Sequence, residues 1–172
     1  MKRPILIFAV LLTFAPPAWS DDGSSAEAQA ASAFVQKFYD WYTPIALKPG
    51  DALAVALRER PADFEPVLYR ALKDDEAAQR KSKDLVGLDF DPILNSQDPG
   101  KHYQVGRVEK QGQDYLVEVR DTELTKPQSA ADVVAQLEQK DGHWIFVNFR
   151  YQENGDLISI LKQLVEDRRK YK

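Results

Sequence analysis

Hydrophobic positions change their spacing once along the chain, near its middle. Before residue 85 they recur every three or four residues, and beyond residue 100 they alternate with polar positions. The first spacing is typical of amphipathic helices, and alternation is typical of strands that bury one face. We therefore predict helices followed by strands, joined by a loop over residues 85–100. We expect this loop to tie the two halves together and to line any functional site.

The first half of the chain predicts three helices. The first begins at about Ser32, and Pro44 ends it, because a residue that precedes proline disfavours helical backbone. One face of this helix is aromatic, with Phe34, Phe38, Trp41 and Tyr42. A short helix follows over residues 52–60. Asp63 is then predicted to cap a third helix, whose charged continuation after Leu72 is expected to be solvated.

The second half predicts four strands that form two hairpins. The first hairpin turns at residues 110–113, and the second turns at Asp141 and Gly142, a pair typical of tight turns. In the last strand one face is expected to carry Ile145, Val147, Phe149 and Tyr151, and the other Trp144, Phe146, Asn148 and Arg150. Residues 154–156 are predicted to begin a final helix.

These elements predict an α+β fold. A run of helices followed by a run of strands is typical of that class. We expect N-terminal helices packed on a curved four-stranded antiparallel sheet, with a closing C-terminal helix. A curved sheet around a long helix forms a cone with an open mouth.

The N-terminus has the three parts of a secretory signal peptide. Lys2 and Arg3 are basic, residues 5–14 are apolar, and residues 18–20 match a small-x-small cleavage site. We predict cleavage after Ser20 and a periplasmic location. The apolar run is too short for a permanent transmembrane helix, so no stable membrane insertion is expected after cleavage. Residues 21–31 are then a flexible leader, and residues 32–172 are a single domain.

The amino-acid composition excludes several kinds of site and makes some partners unexpected. The chain has no cysteine, which excludes disulfides, thiol catalysis, thiolate metal sites and a lipid anchor on an N-terminal cysteine. Without Lys2 and Arg3, 21 basic residues stand against 27 acidic ones, a formal charge of −6. A negative protein repels polyanions, so nucleic acid and anionic lipid are not expected partners.

Three segments resemble a family of exported bacterial proteins of unknown function. They are the loop VGLDFDPILNSQDP (residues 86–99), the helix AFVQKFYDWY (33–42) and the strand GHWIFVNFRY (142–151). The family is similar in fold to nuclear transport factor 2, the cystatin-like cone, and some members are envelope lipoproteins. This chain departs from those members because it has no cysteine. The resemblance implies a fold and a compartment, and it implies no activity.

The predicted loop presents oxygen-bearing side chains at short spacing: Asp89, Asp91, Asn95 and Asp98. Oxygen ligands in an exported protein are compatible with calcium. An EF-hand needs an oxygen ligand at its fifth position and glycine at its sixth, whereas Ile93 and Leu94 stand there. The alternative is that these side chains cap local turns beside the prolines, and we favour it. We therefore predict no metal ligands.

A second set of polar groups would face the interior of a cone: Tyr39, Asp40, Asn148 and Arg150. An acid or a tyrosine in an apolar pocket supports isomerase or dehydratase chemistry in other proteins. The alternative is that Arg150 pairs with Asp89 or Asp91 and ties the last strand to the loop. A serine triad is not expected, because Ser96 lies outside any G-x-S-x-G sequence.

Three functions follow from these observations. The preferred one is a non-enzymatic periplasmic domain that binds a protein or a small ligand of the envelope, with an immunity protein as a concrete version. The first alternative is a small enzyme of isomerase or hydrolase type that uses the pocket of the cone. The second is a calcium-stabilised structural domain. No catalytic residues and no cofactor are predicted, and the eight residues named in the loop and the cone are the candidate binding residues.

Overall fold

The structure is a computed structural model that describes residues 22–84, 86–123, 131–152 and 155–170. The predicted signal peptide lies outside these residues. Within them the elements follow in this order: α1 (Asp22–Ala46), α2 (Ala52–Glu59), a 3-10 helix (Pro61–Asp63), α3 (Pro66–Lys81), β1 (Tyr103–Gln111), β2 (Asp114–Asp121), β3 (Val133–Lys140), β4 (His143–Tyr151), β5 (Gly155–Asp156) and α4 (Leu157–Lys170). This order confirms the α+β class. In the described part of the chain, no helix has the length and hydropathy needed to cross a bilayer.

In the described ranges the sheet has five antiparallel strands in the order β1-β2-β3-β4-β5, where the sequence predicted four. The additional strand is short, and Asp156 in it pairs with Arg150 of β4. The sequence assigned residues 154–156 to the start of the last helix. Instead, Asp156 keeps a strand backbone and its carboxylate accepts a hydrogen bond from the Ser159 N–H at 3.1 Å. Asp156 is therefore the N-cap of α4, and the helix begins one residue later.

Helix α1 is longer than predicted at both ends. It begins at Asp22, so most of the predicted flexible leader is helical, and Ala31 is fully buried. It also continues past Pro44 to Ala46. Proline removes only its own hydrogen bond and disturbs the carbonyl four residues earlier. In the last turn the helix tolerates that loss, and the Leu47 N–H still donates to the Thr43 carbonyl at 3.1 Å.

Helix α3 begins at Pro66, and its N-cap is Glu65, which corrects the assignment of Asp63. The Glu65 carboxylate accepts hydrogen bonds from the backbone N–H groups of Val67 and Leu68, at 2.5 and 3.3 Å. Proline is favoured at the first helical position because it has no N–H to satisfy there. Asp63 instead ends the 3-10 helix that precedes this cap.

The core lies between α1 and one face of the sheet. Phe38 of α1 contacts Phe146 of β4 with ring centroids 4.7 Å apart, and Phe146 stacks on Phe149 at 5.1 Å. The largest fully buried side chains are Phe38, Tyr39, Tyr42, Leu57, Leu68, Leu72, Ile93, Leu94, Leu137, Phe146, Phe149 and Leu157. Aromatic rings thus fill the centre of the domain. Trp41 is only half-buried, and the Arg60 guanidinium lies 4.3 Å from its ring centroid.

Strand β4 contains an irregularity at Val147. The partners of Phe146 and Asn148 are consecutive residues of β3, so Val147 between them has no partner there. One extra residue in a strand reverses the alternation of its side chains beyond that point. Phe146 and Phe149 therefore face the same side. The prediction that Phe146 shares a face with Asn148 and Arg150 is wrong.

Strand β1 forms one edge of the sheet, and α1 packs beside it. The side-chain amide of Gln36 lies against its backbone. The Gln36 Oε1 accepts a hydrogen bond from the Val105 N–H at 2.9 Å, and its Nε2 donates to the Tyr103 carbonyl at 3.1 Å. One amide thus supplies both the acceptor and the donor that a neighbouring strand would otherwise provide at this point.

Candidate functional site

Three tyrosine hydroxyls hold the loop at residues 91–93, and we call them the tyrosine clamp. Tyr39 donates to the Ile93 carbonyl at 2.6 Å, and Tyr151 donates to the Pro92 carbonyl at 2.7 Å. Tyr42 donates to Oδ2 of Asp91 at 2.7 Å. Burial raises the pKa of all three phenols, so they remain protonated donors near neutral pH. Helix α1 and strand β4 therefore fix the loop from two sides.

Asp91 organises the loop from within. Its Oδ1 accepts hydrogen bonds from the N–H groups of Ile93 at 2.9 Å and Leu94 at 3.1 Å. The backbones of Asp91 and Ser96 also pair with each other. Burial raises the pKa of Asp91 although these hydrogen bonds act to lower it, and the nearby Asp51 carboxylate adds to the increase. From the sequence we favoured side chains that cap local turns in this loop. Asp91 is such a side chain.

We expect the stability of the wild-type protein, relative to Asp91→Asn, to fall as the pH rises above 3.8, the ordinary pKa of an aspartate. A carboxyl group with a raised pKa binds its proton more tightly in the folded state. Its effect on stability is most favourable below the ordinary pKa of 3.8, and stability is lost as the pH rises through the raised pKa. Urea unfolding of both proteins at constant ionic strength measures the difference. A relative stability that increases with pH would mean that the hydrogen bond from Tyr42 outweighs burial.

A buried ion pair holds the start of the same loop. The Arg168 guanidinium of α4 lies 2.5 Å from Oδ1 of Asp75 in α3 and also donates to the Val86 carbonyl at 2.8 Å. The second oxygen of Asp75 accepts the Leu88 N–H at 2.9 Å. Gly87, between Val86 and Leu88 in the chain, leaves space for the Asp75 carboxylate. A Cβ at this position would lie only 2.8 Å from Asp75 Oδ2. The prediction that the whole charged run after Leu72 is solvated is therefore wrong, since Asp75 is only 5% exposed.

A groove of about 710 Å³ lies beside the loop, and we call it the acidic groove. The end of α1, the start of α2, one side of α3 and the loop form its walls. The apolar lining consists of Ala46, Ala52, Leu53, Leu88, Phe90, Pro92 and Pro99. The charged lining consists of Asp51, Asp75, Glu76, Asp89 and Asp91 with Arg80. A concave surface with an apolar lining and a few polar groups is the usual form of a ligand site.

The structure brings some of the predicted loop residues to this groove. Asp89 is exposed and lines it, and Asp91 lines it with a half-buried side chain. Asp98 is exposed but does not belong to the lining. Asn95 has a left-handed backbone with φ of 50° and donates from Nδ2 to the Asp132 carbonyl at 3.1 Å. Asn95 therefore has a structural contact on the side of β3.

The residues predicted to face the interior of a cone do not meet there. Tyr39 is buried in the tyrosine clamp, whereas Asp40 is exposed and accepts a hydrogen bond from Gln36 at 2.8 Å. Asn148 donates to Asp156 at 2.8 Å. Although burial acts to raise the pKa of Asp156, the bonds from Asn148 and Ser159 lower it. These contacts connect β4 to the start of α4.

Arg150 pairs with neither Asp89 nor Asp91, which corrects the expected ion pair. Its Nε donates to Gln136 Oε1 of β3 at 3.0 Å. The reason is the alternation of β4. The hydroxyl of Tyr151 reaches the loop, and the preceding residue of a strand points to the opposite side of the sheet.

No group of three or more His, Asp or Glu side chains in the described ranges is arranged to hold a metal ion. Asp91, the most buried carboxylate of the loop, already accepts three hydrogen bonds. Calcium prefers six to eight oxygen ligands. The arrangement of the loop is therefore that of a capped turn.

Sequence reasoning missed the ion pair and two of the three clamp hydroxyls. Asp75 follows the buried Leu68 and Leu72 at the next position of the same helical face, and this spacing was the available signal. A buried tyrosine requires a partner for its hydroxyl, so Tyr42 within an apolar face was a second signal. Nothing in the sequence pointed to Arg168 as the partner of Asp75.

No family model, curated protein or solved structure matches this chain. The resemblance to exported proteins with a cone-like fold thus stays a prediction. The function has to be argued from the clamp, the ion pair and the groove.

Proposed function

We propose that this protein is an exported, non-enzymatic binding domain of the bacterial periplasm, and that the acidic groove is its ligand surface. The observation that carries the proposal is the contrast between the interior and the groove. Aromatic side chains occupy the space between α1 and the sheet, with Phe38 and Phe146 in contact at 4.7 Å. The groove is open, and the clamp and the ion pair hold one of its walls rigidly.

The periplasmic location rests on the signal-peptide pattern of residues 1–20. We also propose that the sheet curves around α1 as a cone, as the resemblance to the nuclear transport factor 2 fold implies. A cone whose interior is filled leaves its outer surface for recognition. An immunity protein that neutralises a toxin acting on the envelope is the most concrete version of such a domain.

The test is a pull-down from the envelope fraction of the source organism with tagged residues 21–172. Bound proteins are identified by mass spectrometry, and the dominant one is purified and titrated against the domain by calorimetry. We expect one partner that binds with a fixed stoichiometry, and a hydrolase as partner would favour the immunity version. If no protein exceeds the background of a bead carrying the tag alone, protein binding in the envelope is contradicted.

A second candidate function is a small enzyme that uses Asp91 as a general acid. The observation in its favour is that this carboxyl group lines the groove and that burial raises its pKa, as in many catalytic acids. We place it second because both oxygens already accept hydrogen bonds within the domain. A panel of ester, glycoside and enone substrates tests it. Turnover by the wild type that folded Asp91→Asn lacks would establish the enzyme.

A further inference from the structure

We infer that the acidic groove binds an extended, positively charged peptide segment of a partner protein, with apolar side chains of that segment on its floor. The inference rests on the proposed function, because it names the ligand class of the same groove. Three properties carry it: the charge of the rim, the apolar floor, and the polar groups at the loop wall.

The charge of the rim is negative, and two of its carboxylates remain for a ligand. Asp75 is already paired with Arg168, and Glu76 forms ion pairs with Lys73 and Arg80. The remaining exposed carboxylates are at Asp51 and Asp89.

Asp51 and Asp89 stand on two different walls of the groove. Asp51 uses one oxygen to cap α2, through the Ala54 N–H at 2.9 Å. Asp89 makes no hydrogen bond or ion pair with any residue that the structure describes. Two exposed carboxylates on separate walls attract a ligand with two spaced positive charges and repel anionic ligands.

The floor of the groove is apolar. Leu53, Leu88 and Phe90 are half-buried, so part of each side chain remains accessible. Phe90 is held in place by an edge-to-face contact with Tyr151, with ring centroids 5.7 Å apart. Lysine and arginine place their methylene stems on such a surface while the charged ends reach the rim. Successive side chains of an extended peptide point to opposite sides, so apolar side chains that lie on the floor are separated by cationic ones.

The loop wall offers hydrogen bonds to a peptide backbone. Ser96 and Gln97 line the groove, and Gln97 is exposed. The clamp fixes the loop, so these groups need little reordering when a ligand binds. Preorganisation of this kind lowers the entropic cost of association. A segment of a protein supplies backbone amides, apolar side chains and spaced cations together, which is why we commit to a peptide.

The test uses three fluorescein-labelled hexapeptides with folded residues 21–172. The first alternates lysine and leucine, the second alternates glutamate and leucine, and the third alternates lysine and serine. We expect the lysine-leucine peptide to bind most tightly by fluorescence anisotropy, and its affinity to fall with added salt. In ¹⁵N-resolved NMR spectra, it should shift the amides of Leu53, Phe90 and Gln97.

The variant Asp51→Asn/Asp89→Asn removes the two rim charges. Asparagine is also a good N-cap, so α2 should be preserved. We expect roughly fivefold to tenfold weaker binding of the lysine-leucine peptide, since each exposed ion pair contributes modestly. The control Glu109→Gln/Glu166→Gln changes the net charge by the same amount at exposed positions outside the groove. The affinity of this control for the lysine-leucine peptide should stay within about twofold of the wild type.

Several results would overturn the inference. They are equal binding of the glutamate-leucine peptide, amide shifts that do not include the groove, or equal weakening by the control variant. The two proposals fail separately. An envelope partner that binds Asp51→Asn/Asp89→Asn as tightly as the wild type contradicts a cationic ligand in the acidic groove, but it still supports a periplasmic binding domain. Absence of any envelope partner contradicts the proposed function, whatever the peptides do.

Discussion

Phe146→Ala is expected to lower the free energy of unfolding by about 3–5 kcal/mol, the usual cost of truncating a buried phenylalanine. The ring is fully buried at the centre of the core. It contacts Phe34, Phe38, Phe64 and Phe149, with centroid distances of 5.0, 4.7, 5.8 and 5.1 Å. Because a domain is typically stable by only about 5–15 kcal/mol, this single change should leave a marginal fold.

Urea unfolding followed by circular dichroism measures this loss. Val67→Ala is the matched control, because Val67 is 62% exposed and its truncation should change stability by at most about 0.5 kcal/mol. If Phe146→Ala does not fold, Phe146→Leu gives a smaller loss that can still be measured. A loss for Phe146→Ala no larger than that of Val67→Ala would contradict the packing at this site.

Asp75→Ala is expected to lower the free energy of unfolding by about 3–5 kcal/mol, as much as the core substitution. The change leaves the Arg168 guanidinium, with a side chain only 17% exposed, without its carboxylate. It also removes the acceptor of the Leu88 N–H. A buried charge that loses its partner is far more costly than an ion pair that is replaced as a whole.

The double variant Asp75→Ala/Arg168→Met separates these contributions. We expect it to be more stable than the sum of the two single losses predicts, because it removes the unpaired charge. Lys170→Met is the control, since Lys170 pairs with Asp167 on the surface and should contribute at most about 1 kcal/mol. If the stability losses of the two single variants add up to the loss of the double variant, Asp75 and Arg168 do not act as a pair.

The order of elements could be predicted from the sequence because spacing reports burial directly. The change from helical to alternating spacing locates β1 after residue 100, and the Asp141-Gly142 turn locates β3 and β4. The boundaries were harder, since they depend on single hydrogen bonds. Glu65 and Asp156 cap helices through side chains that any nearby acidic residue could have supplied.

The candidate site was less predictable than the fold. The irregularity at Val147 has no sequence signature, yet it turns Phe146 to the side of Phe149 and away from the side of Asn148 and Arg150. Contacts between residues that are distant in the chain also have no sequence signature. Asp75 and Arg168 are 93 positions apart, and only the packing of α3 against α4 makes them partners. Asp89 and Asp91 both line the groove, and the sequence could place them near each other because they are only two positions apart in one loop.

The amide of Gln36 has a consequence for the behaviour of the protein at high concentration. An edge strand with unpaired peptide groups is a template on which a second molecule can add its own strand. By bonding to Val105 and Tyr103, Gln36 occupies two of those groups within the molecule. A single polar side chain on a helix thereby opposes edge-to-edge polymerisation, a protection that the polarity of the surface alone does not give.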